Sequence, residues 1–205
     1  MPENKNIHTT FDRLLKRDAK EKLLNQKSRV IWMTGLSGAG KTTIAQHFEV
    51  ALNKMGYLTQ VLDGDNIRSG INNNLGFSEE DRYENIRRIS EVSKLLMDSG
   101  IICINSFISP TNEIRDMAKK IIGEENFIEV FVDAPIEVCE QRDVKGLYEK
   151  ARRGEIKNFT GIDSPFDVPG DADIVLHTDK LSVDECVEVC LEHILPIIKY
   201  DYDQE

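Results

Sequence analysis

The sequence predicts an α/β fold, in which a parallel sheet of about five strands carries helices on both faces. From Arg29 onward, short apolar runs typical of buried strands alternate with longer segments whose apolar residues recur three or four positions apart. This alternation favours a parallel sheet, and ligands of such sheets bind at the carboxyl ends of the strands. With 205 residues, the chain is long enough for one such domain and short for two.

The individual elements follow from these patterns in chain order. Residues 1 to about 27 are polar and of mixed charge and are interpreted as an N-terminal extension, in which Leu14-Leu15 and Leu23-Leu24 indicate a short amphipathic helix. Residues 28–205 form the main domain. The predicted strands are Val30–Thr34, Leu58–Leu62, Ile101–Phe107, Phe127–Val132 and Ile174–His177. The predicted helices are residues 41–54, 79–98, 112–122, 135–141 and 182–199.

Charge and composition exclude several classes of partner. The net charge of −10 argues against broad binding to nucleic acid or to an anionic membrane, and the longest apolar runs are too short to span a bilayer. Met1–Lys5 lacks the apolar stretch of a secretory signal, so we expect a cytoplasmic protein. The four cysteines of the chain have apolar neighbours and are expected to be buried, reduced thiols.

The segment Gly35–Thr42 matches the pattern G-x-x-x-x-G-K-[ST] and lies between an expected strand and an expected helix. In this phosphate-binding loop, or P-loop, backbone N–H groups and a helix N-terminus surround a polyphosphate. Lys41 would bridge the outer phosphates and the Thr42 hydroxyl would ligate Mg²⁺. The alternative, a glycine-rich turn that matches by chance, lacks this strand–loop–helix context. We therefore expect ATP and Mg²⁺ on a P-loop NTPase-type sheet. The expected ATP-binding residues are Gly35, Ser37, Gly38, Ala39, Gly40, Lys41, Thr42 and Thr43.

Two carboxylates and an arginine follow the second strand, at the edge of the sheet where the P-loop is expected. Asp65 is the candidate for orienting or deprotonating an acceptor hydroxyl, and Asp63 for supporting the water shell of the metal. Arg68 suits an anionic acceptor, because a guanidinium binds phosphate or sulfate in a bidentate manner. Asn66 belongs to the same turn. The alternative interpretation is a helix N-cap followed by a solvated arginine.

The segment after residue 74 places an aromatic ring and two polar side chains near this acceptor site. Phe77 follows a glycine, where its ring could stack on a base, and Arg82 and Asn85 share one helix face. Arg87 and Arg88 are expected to form a solvated face. The run 72–74 is unexpectedly polar, and we expect it not to touch the residues assigned to the site.

Two further segments complete the predicted site. Pro110 is expected to open a helix with Ser109 as its N-cap, so that Ser109 could bind an anion, with Ile108 beside it. Residues from about 143 to 170 form a long charged insert between the last two strands. We interpret it as a lid over the phosphates, the alternative being a surface loop. Within and beside it, Arg142 could stack on the donor adenine, Lys145 belongs to the lid chemistry and Phe159 is a second stacking candidate.

Taken together, these segments resemble adenylyl-sulfate kinases from about Val30 to the end of the last helix. The resemblance rests on GLSGAGKTT, DGDNIR, LGFSEEDRYENIRR, SFISP and CEQRDVKGLYEKARRGEIKNFTGID, in that order. It implies transfer of the γ-phosphoryl group of ATP to the 3′-hydroxyl of adenosine 5′-phosphosulfate (APS), giving PAPS and ADP, and it implies a homodimer.

In that family two phenylalanines sandwich the acceptor adenine, and the serine matching Ser109 has been described as a phosphorylated intermediate. Where many relatives carry an aromatic and a basic residue, this chain has Thr111 and Asn112. The resemblance implies an acceptor site formed by Asp63, Arg68, Phe77, Arg82, Asn85, Ile108, Ser109, Lys145 and Phe159.

Three other readings remain open from the sequence. A P-loop kinase of another small metabolite shares the loop and lid but does not explain Phe77 together with Arg82 and Asn85. A GTPase switch would need an Asn-Lys-x-Asp motif, which the sequence lacks. An inactive nucleotide-binding regulator is disfavoured by the presence of Lys41 and Asp65.

Overall fold

The computed structural model describes residues 8–202, which form a five-stranded parallel sheet in the order β2-β3-β1-β4-β5 with helices on both faces. The expected fold class is confirmed. The strands are β1 Val30–Thr34, β2 Thr59–Asp63, β3 Ile102–Ser106, β4 Phe127–Asp133 and β5 Ile174–His177. The helices are α1 Arg17–Leu24, α2 Lys41–Lys54, α3 Gly64–Ser69, α4 Glu79–Met97, α5 Asn112–Ile122, α6 Ile136–Arg142, α7 Leu147–Arg152 and α8 Val183–Ile198. Two short 3₁₀ turns span Phe11–Arg13 and Glu124–Asn126.

The central strand β1 is apolar at nearly every position because both of its faces are covered. Ile31 and Met33 lie in the core beneath α2 and α8, and Val30 and Trp32 lie in the core beneath α4 and α5. Strands buried on both faces read as continuous apolar runs, without the alternation of a half-exposed strand. The order of the strands changes direction at β1, between β2–β3 on one side and β4–β5 on the other. Such a switch point opens a crevice at the carboxyl ends of the strands.

The boundaries of the longer elements agree with the sequence to within one or two residues, but two short helices were not expected. These are α3 and α7, with six residues each. A six-residue helix has fewer than two turns, so its apolar spacing gives no periodic signal. Both helices lie at the carboxyl edge of the sheet, and α7 lies within the predicted lid.

The N-terminal segment is packed against the domain from Arg17 onward, while residues 1–7 of the predicted extension lie outside the described residues. The expected amphipathic helix starts only after Leu14-Leu15, and its buried residue is Glu21, not a leucine. The carboxylate of Glu21 accepts hydrogen bonds from the Ser28 backbone N–H and from the Arg17 guanidinium, each at 2.7 Å. The fully buried Gln26 donates to the carbonyls of Leu58 and Gly100 at 2.9 and 2.8 Å. The boundary at residue 28 stays a prediction, but residues 17–27 are attached to the domain by the hydrogen bonds of the buried Glu21 and Gln26.

The cysteines agree with the expectation of buried thiols. Cys103, Cys139, Cys186 and Cys190 are free and buried. Within residues 8–202, no helix combines the length and the apolar character that crossing a membrane requires.

Candidate active site

The P-loop connects β1 to α2 and has a backbone that requires glycine. Gly35 has φ +148°, and a Cβ atom there would lie 2.3 Å from the carbonyl oxygen of Val132. Gly38 has φ +77°, and its Cβ would lie 3.0 Å from the carbonyl oxygen of Cys139. Both constraints tie the loop to the adjacent β4–α6 segment. The first turn of the 14-residue α2 therefore faces the crevice with its positive dipole end.

Lys41 is held inside this loop. Its Nζ donates to the carbonyl oxygens of Gly35 and Leu36 at 2.9 and 2.8 Å, and the residue is only 8% exposed. Burial lowers the pKa of Lys41 to about 8 from its ordinary 10.5, because desolvation disfavours the charged form. A phosphate that entered the loop would restore a favourable partner for this charge.

Oxygen atoms from three elements meet beside Lys41. The Thr42 hydroxyl donates to Oδ2 of Asp63 at 2.7 Å, and it lies 3.4 Å from the hydroxyl of Ser106 at the end of β3. Among residues 8–202, no cluster of three or more His, Cys, Asp or Glu side chains could hold a metal by itself. Hydroxyl and carboxylate oxygens fit Mg²⁺, which often binds through few side chains and completes its coordination with water and substrate phosphates.

Asp65 lies across the crevice from the P-loop, at the start of α3. The helix begins because Asp63 accepts a hydrogen bond from the backbone N–H of Asp65 at 3.1 Å, so the N-cap of the alternative interpretation is present alongside the carboxylate pair. The carboxylate of Asp65 forms an ion pair with Lys145, and both side chains are largely exposed. This contact joins the α3 turn to the predicted lid. Asn66, in the same helix, is exposed.

Phe77 presents an exposed ring next to Arg68, in the region where an acceptor is predicted. The residue is 65% exposed, and the Arg68 guanidinium lies 4.5 Å from the ring centroid. Arg68 also donates to the carbonyl oxygen of Gly76 at 2.7 Å. Arg68 therefore supports the segment that carries Phe77, and the interpretation as a merely solvated arginine is wrong.

Arg82 joins the Phe77 segment to the lid. Its guanidinium donates to the carbonyl oxygen of Phe77 at 3.0 Å, to that of Asn158 at 2.5 Å and to the hydroxyl of Thr160 at 2.7 Å. Between the last two residues lies Phe159, which is 9% exposed and packs edge-on against Tyr148 with the ring centroids 4.9 Å apart. The two phenylalanine segments are thus linked by one guanidinium, but one ring is exposed and the other is packed in the core.

The polar run 72–74 contacts the site, contrary to our expectation. The buried Asn72 donates from Nδ2 to Oδ1 of Asn85 at 2.9 Å. Arg88 donates to Asn74 Oδ1 at 2.9 Å in an exposed hydrogen bond, so the solvated face expected for Arg87 and Arg88 stays a prediction. No local pattern signals these contacts, because the partners are 13 and 14 residues apart.

Ser109 is not the N-cap of the following helix. Its φ of +45° is left-handed, whereas an N-cap residue has an extended backbone, and α5 is capped by Thr111, which accepts from the Ile114 N–H. The Ser109 hydroxyl is buried and accepts a hydrogen bond from the Trp32 indole N–H at 2.9 Å. Ile108 contributes its carbonyl oxygen, which accepts from the Thr34 hydroxyl at 2.7 Å.

The predicted lid is fastened to the domain at both of its ends. At the first end, Arg142 donates to Thr178 and to the carbonyl oxygens of Gly38 and Ala39, and the Tyr148 hydroxyl donates to the Ser37 carbonyl oxygen at 2.9 Å. Sequence reasoning missed Thr178, Tyr148 and Ser106. The rule that sites lie at carboxyl ends of strands could have found Ser106 and Thr178.

At the second end, the buried Arg115 of α5 holds the lid next to Ser109. It donates to the carbonyl oxygens of Ser109 and Asp167 at 2.8 and 2.7 Å and pairs with the buried Glu129 at 3.0 Å. Arg115 was not expected as part of the site surroundings.

Comparisons with known proteins agree with this geometry. The profile of the family described as "Adenylylsulphate kinase" matches residues 27–177. An adenylyl-sulfate kinase of Bacteroides thetaiotaomicron is 61% identical over 97% of this chain and 99% of its own length. That of Clostridium acetobutylicum is 56% identical over 88% and 90%.

Solved structures give the same result. The APS kinase of Mycobacterium tuberculosis in complex with AMPPNP and APS superposes with a TM-score of 0.80 at 45% identity, covering 82% of this chain and 98% of that one. A gluconokinase of Sinorhizobium meliloti reaches a TM-score of 0.56 at 18% identity and shares the fold alone.

Proposed function

This chain belongs to the adenylylsulphate kinase family and is a nucleotide-binding kinase, and we propose that it transfers the γ-phosphoryl group of ATP to the 3′-hydroxyl of APS. The products are PAPS and ADP. The observation that carries this proposal is the guanidinium of Arg82, which ties the exposed Phe77 segment to the lid, and the lid in turn contacts the P-loop through Tyr148. A second nucleotide-sized acceptor needs a stacking surface with an anion-binding cation beside it, and this arrangement supplies both.

On the donor side, the P-loop residues Gly35 and Ser37–Thr43 bind the phosphates of ATP. Lys41 exchanges its carbonyl partners for the outer phosphates and stabilises the charge of the transferred group. The Thr42 hydroxyl would hold Mg²⁺, and Asp63, which accepts a hydrogen bond from that hydroxyl, would support the water shell of the ion. When bound, the ion neutralises phosphate charge. Arg142 stacks on the donor adenine from its position against the P-loop.

On the acceptor side, Asp65 orients the 3′-hydroxyl for in-line attack and accepts its proton. Lys145, which pairs with Asp65, keeps that carboxylate directed into the crevice and adds positive charge near the transferred group. Both steps match phosphoryl transfer, which depends mainly on positioning and charge stabilisation.

The remaining acceptor residues bind the APS molecule itself. Phe77 stacks on the adenine, and Phe159 approaches it from the lid. The anionic and polar groups of APS are bound by Arg68, Arg82, Asn85, Asn66, Ile108 and Ser109.

The phosphoryl group passes directly from donor to acceptor. In-line transfer requires no covalent enzyme intermediate, and the Ser109 hydroxyl is buried and engaged with the Trp32 indole. Ser109 is therefore not phosphorylated in the cycle, and its assignment to the acceptor site rests on the family resemblance. Incubation with ATP labelled at the γ-phosphorus, followed by mass measurement of the intact protein, tests this point.

We also propose that the chain forms a homodimer in the cytoplasm. The family resemblance supports self-association. A hexameric APS kinase of Thiobacillus denitrificans is 26% identical over 84% of this chain and 30% of its own. Four buried free cysteines suit a reducing compartment. Light scattering coupled to size-exclusion chromatography gives the number of subunits.

Coupled ADP release with ATP, Mg²⁺ and APS tests the reaction, with AMP as the control acceptor. Asp65→Ala should lower kcat by roughly 10²–10⁴-fold, the usual worth of general-base assistance. Asp18→Ala, at an exposed aspartate on the opposite side of the domain, is the matched control and should leave kcat unchanged. Turnover with AMP equal to that with APS, or none with either despite ATP binding, would contradict the proposed reaction.

A further inference from the structure

Four polar side chains form a continuous line of hydrogen bonds that ends at the acceptor site. The Glu84 carboxylate accepts from Arg88 Nε at 2.7 Å, and Arg88 donates in turn to Oδ1 of Asn72 at 3.4 Å. Asn72 then donates from Nδ2 to Oδ1 of Asn85 at 2.9 Å. The line runs from the surface of α4 through the turn that follows α3 and back to the buried face of α4.

The direction of these hydrogen bonds is fixed at the outer end. An arginine can donate but not accept, so the oxygen of the Asn72 carboxamide must face Arg88. The nitrogen of the same carboxamide must then face Asn85, and it meets the oxygen of that residue. Arg87 and Arg88 hold the pKa of Glu84 at about 2, so the carboxylate that orients Arg88 is ionised at any working pH.

The inner end leaves one donor available. Asn85 is 4% exposed, and within residues 8–202 its Nδ2 has no hydrogen-bond partner but stays accessible to solvent. An accessible donor on an otherwise buried side chain can bind a ligand that displaces water from it. Asn85 lies one turn beyond Arg82 on the same face of α4, beside the predicted APS site.

We propose that Asn72 is a positioning residue for APS, which with Arg88 fixes the carboxamide of Asn85 so that its N–H group, not its oxygen, faces the substrate. This inference rests on the proposed function, because it deepens the role of Asn85 in the acceptor site. The group recognised is a hydrogen-bond acceptor of the substrate, such as an oxygen of the phosphosulfate. If the carboxamide were reversed, Asn85 would present lone pairs to that acceptor and repel it.

Two substitutions at position 72 separate positioning from packing. Asn72→Asp has nearly the same shape and keeps an oxygen for Arg88, but it cannot donate to Asn85. The Asn85 carboxamide would then turn its nitrogen towards the new carboxylate and its oxygen towards APS. Asn72→Ala leaves the Asn85 carboxamide free to adopt either orientation. Asn73→Asp introduces the same charge at the adjacent exposed residue and is the matched control.

The experiment measures initial rates by coupled ADP release, varying APS at saturating ATP and then ATP at saturating APS. Asn85→Ala should raise KM for APS about tenfold, the worth of roughly one hydrogen bond. Asn72→Asp should raise KM for APS at least as much as Asn85→Ala does. Asn72→Ala should raise KM for APS less than Asn72→Asp does. In all three, KM for ATP and kcat should stay within about twofold, as should every parameter of Asn73→Asp. Thermal denaturation verifies that each variant is folded.

A double variant shows whether Asn72 acts through Asn85. If it does, Asn72→Asp combined with Asn85→Ala should have the KM for APS of Asn85→Ala alone, because the group that Asn72 positions is absent. The inference would be overturned if the increases in KM for APS of the two single variants multiplied in the double variant, or if Asn72→Asp left KM for APS unchanged. Either outcome would leave the proposed reaction intact. An unchanged KM in Asn85→Ala would remove Asn85 from the acceptor site and overturn the inference with it. Absence of APS-dependent turnover in the unaltered protein would refute the proposed function itself.

Discussion

The buried pair of Arg115 and Glu129 is predicted to carry a large share of the stability of the domain. Arg115 is 3% exposed and Glu129 is 7% exposed, and their charged groups are 3.0 Å apart. The substitution Arg115→Met keeps most of the side-chain volume but removes the positive charge and the donors to Ser109 and Asp167. It leaves Glu129 buried without its partner.

The expected cost follows from that unpaired charge. Removing one member of a buried ion pair typically lowers the free energy of unfolding by about 3–5 kcal/mol. Burial already raises the pKa of Glu129, while Arg115 counteracts the rise, so the variant should raise this pKa further. A folded pKa above the unfolded value means that stability is lost as pH rises through the folded pKa. The loss caused by Arg115→Met should therefore be larger at pH 8 than near pH 5.

Urea unfolding followed by circular dichroism measures this loss at both pH values. The control is Arg152→Met, the same substitution at an arginine whose partner is Glu140 on the surface. Exposed pairs contribute about 0–1 kcal/mol, so this control should change little. The double variant Arg115→Met/Glu129→Gln buries no charge and should recover much of the loss. A cost below about 1 kcal/mol for Arg115→Met, or one that is equal at both pH values, would refute this reasoning.

Two further predictions concern the donor and acceptor sides separately. Phe77→Ala should raise KM for APS while KM for ATP stays nearly constant, because the exposed ring belongs to the predicted acceptor site. Steady-state rates measure both constants, and a comparable rise in KM for ATP would contradict the stacking role. ATP affinity, measured by calorimetry, should fall about tenfold from pH 7 to pH 9 as Lys41, with a pKa of about 8, loses the proton that a bound phosphate requires. Lys41→Arg keeps its charge over this range, so an equal fall in that variant would assign the effect to another group.

The sheet and the P-loop could be predicted from the sequence because their signals are local. Every residue of β1 is apolar or small, and Gly35 and Gly38 stand where the backbone leaves no room for a side chain. The order of the five motifs identified the family before any geometry was known. Such signals need only a few consecutive residues, so they can be read directly.

The surroundings of the site could not be predicted, since they depend on contacts between distant segments. The buried Asn72 donates a hydrogen bond to Asn85, and Arg115 donates one to the carbonyl oxygen of Asp167, 52 residues away. The error at Ser109 has a local cause: the left-handed backbone before Pro110 moves the start of α5 to the next available cap. The roles assigned to Phe159 and Asp65 stay predictions.

The pairing of the segment before β1 with the segment after α8 has a consequence for rearranging the chain. Gln26 bridges to Lys199, and the Lys27 N–H donates to the Ile198 carbonyl oxygen at 2.7 Å, so the segment that leads into β1 and the segment that leaves α8 lie side by side. Both segments lie at the amino ends of the strands, opposite the crevice. These two segments therefore lie away from the crevice. The same neighbouring segments could be connected by a short linker to give a circular permutant, with new termini opened in an exposed turn such as that at Gly56.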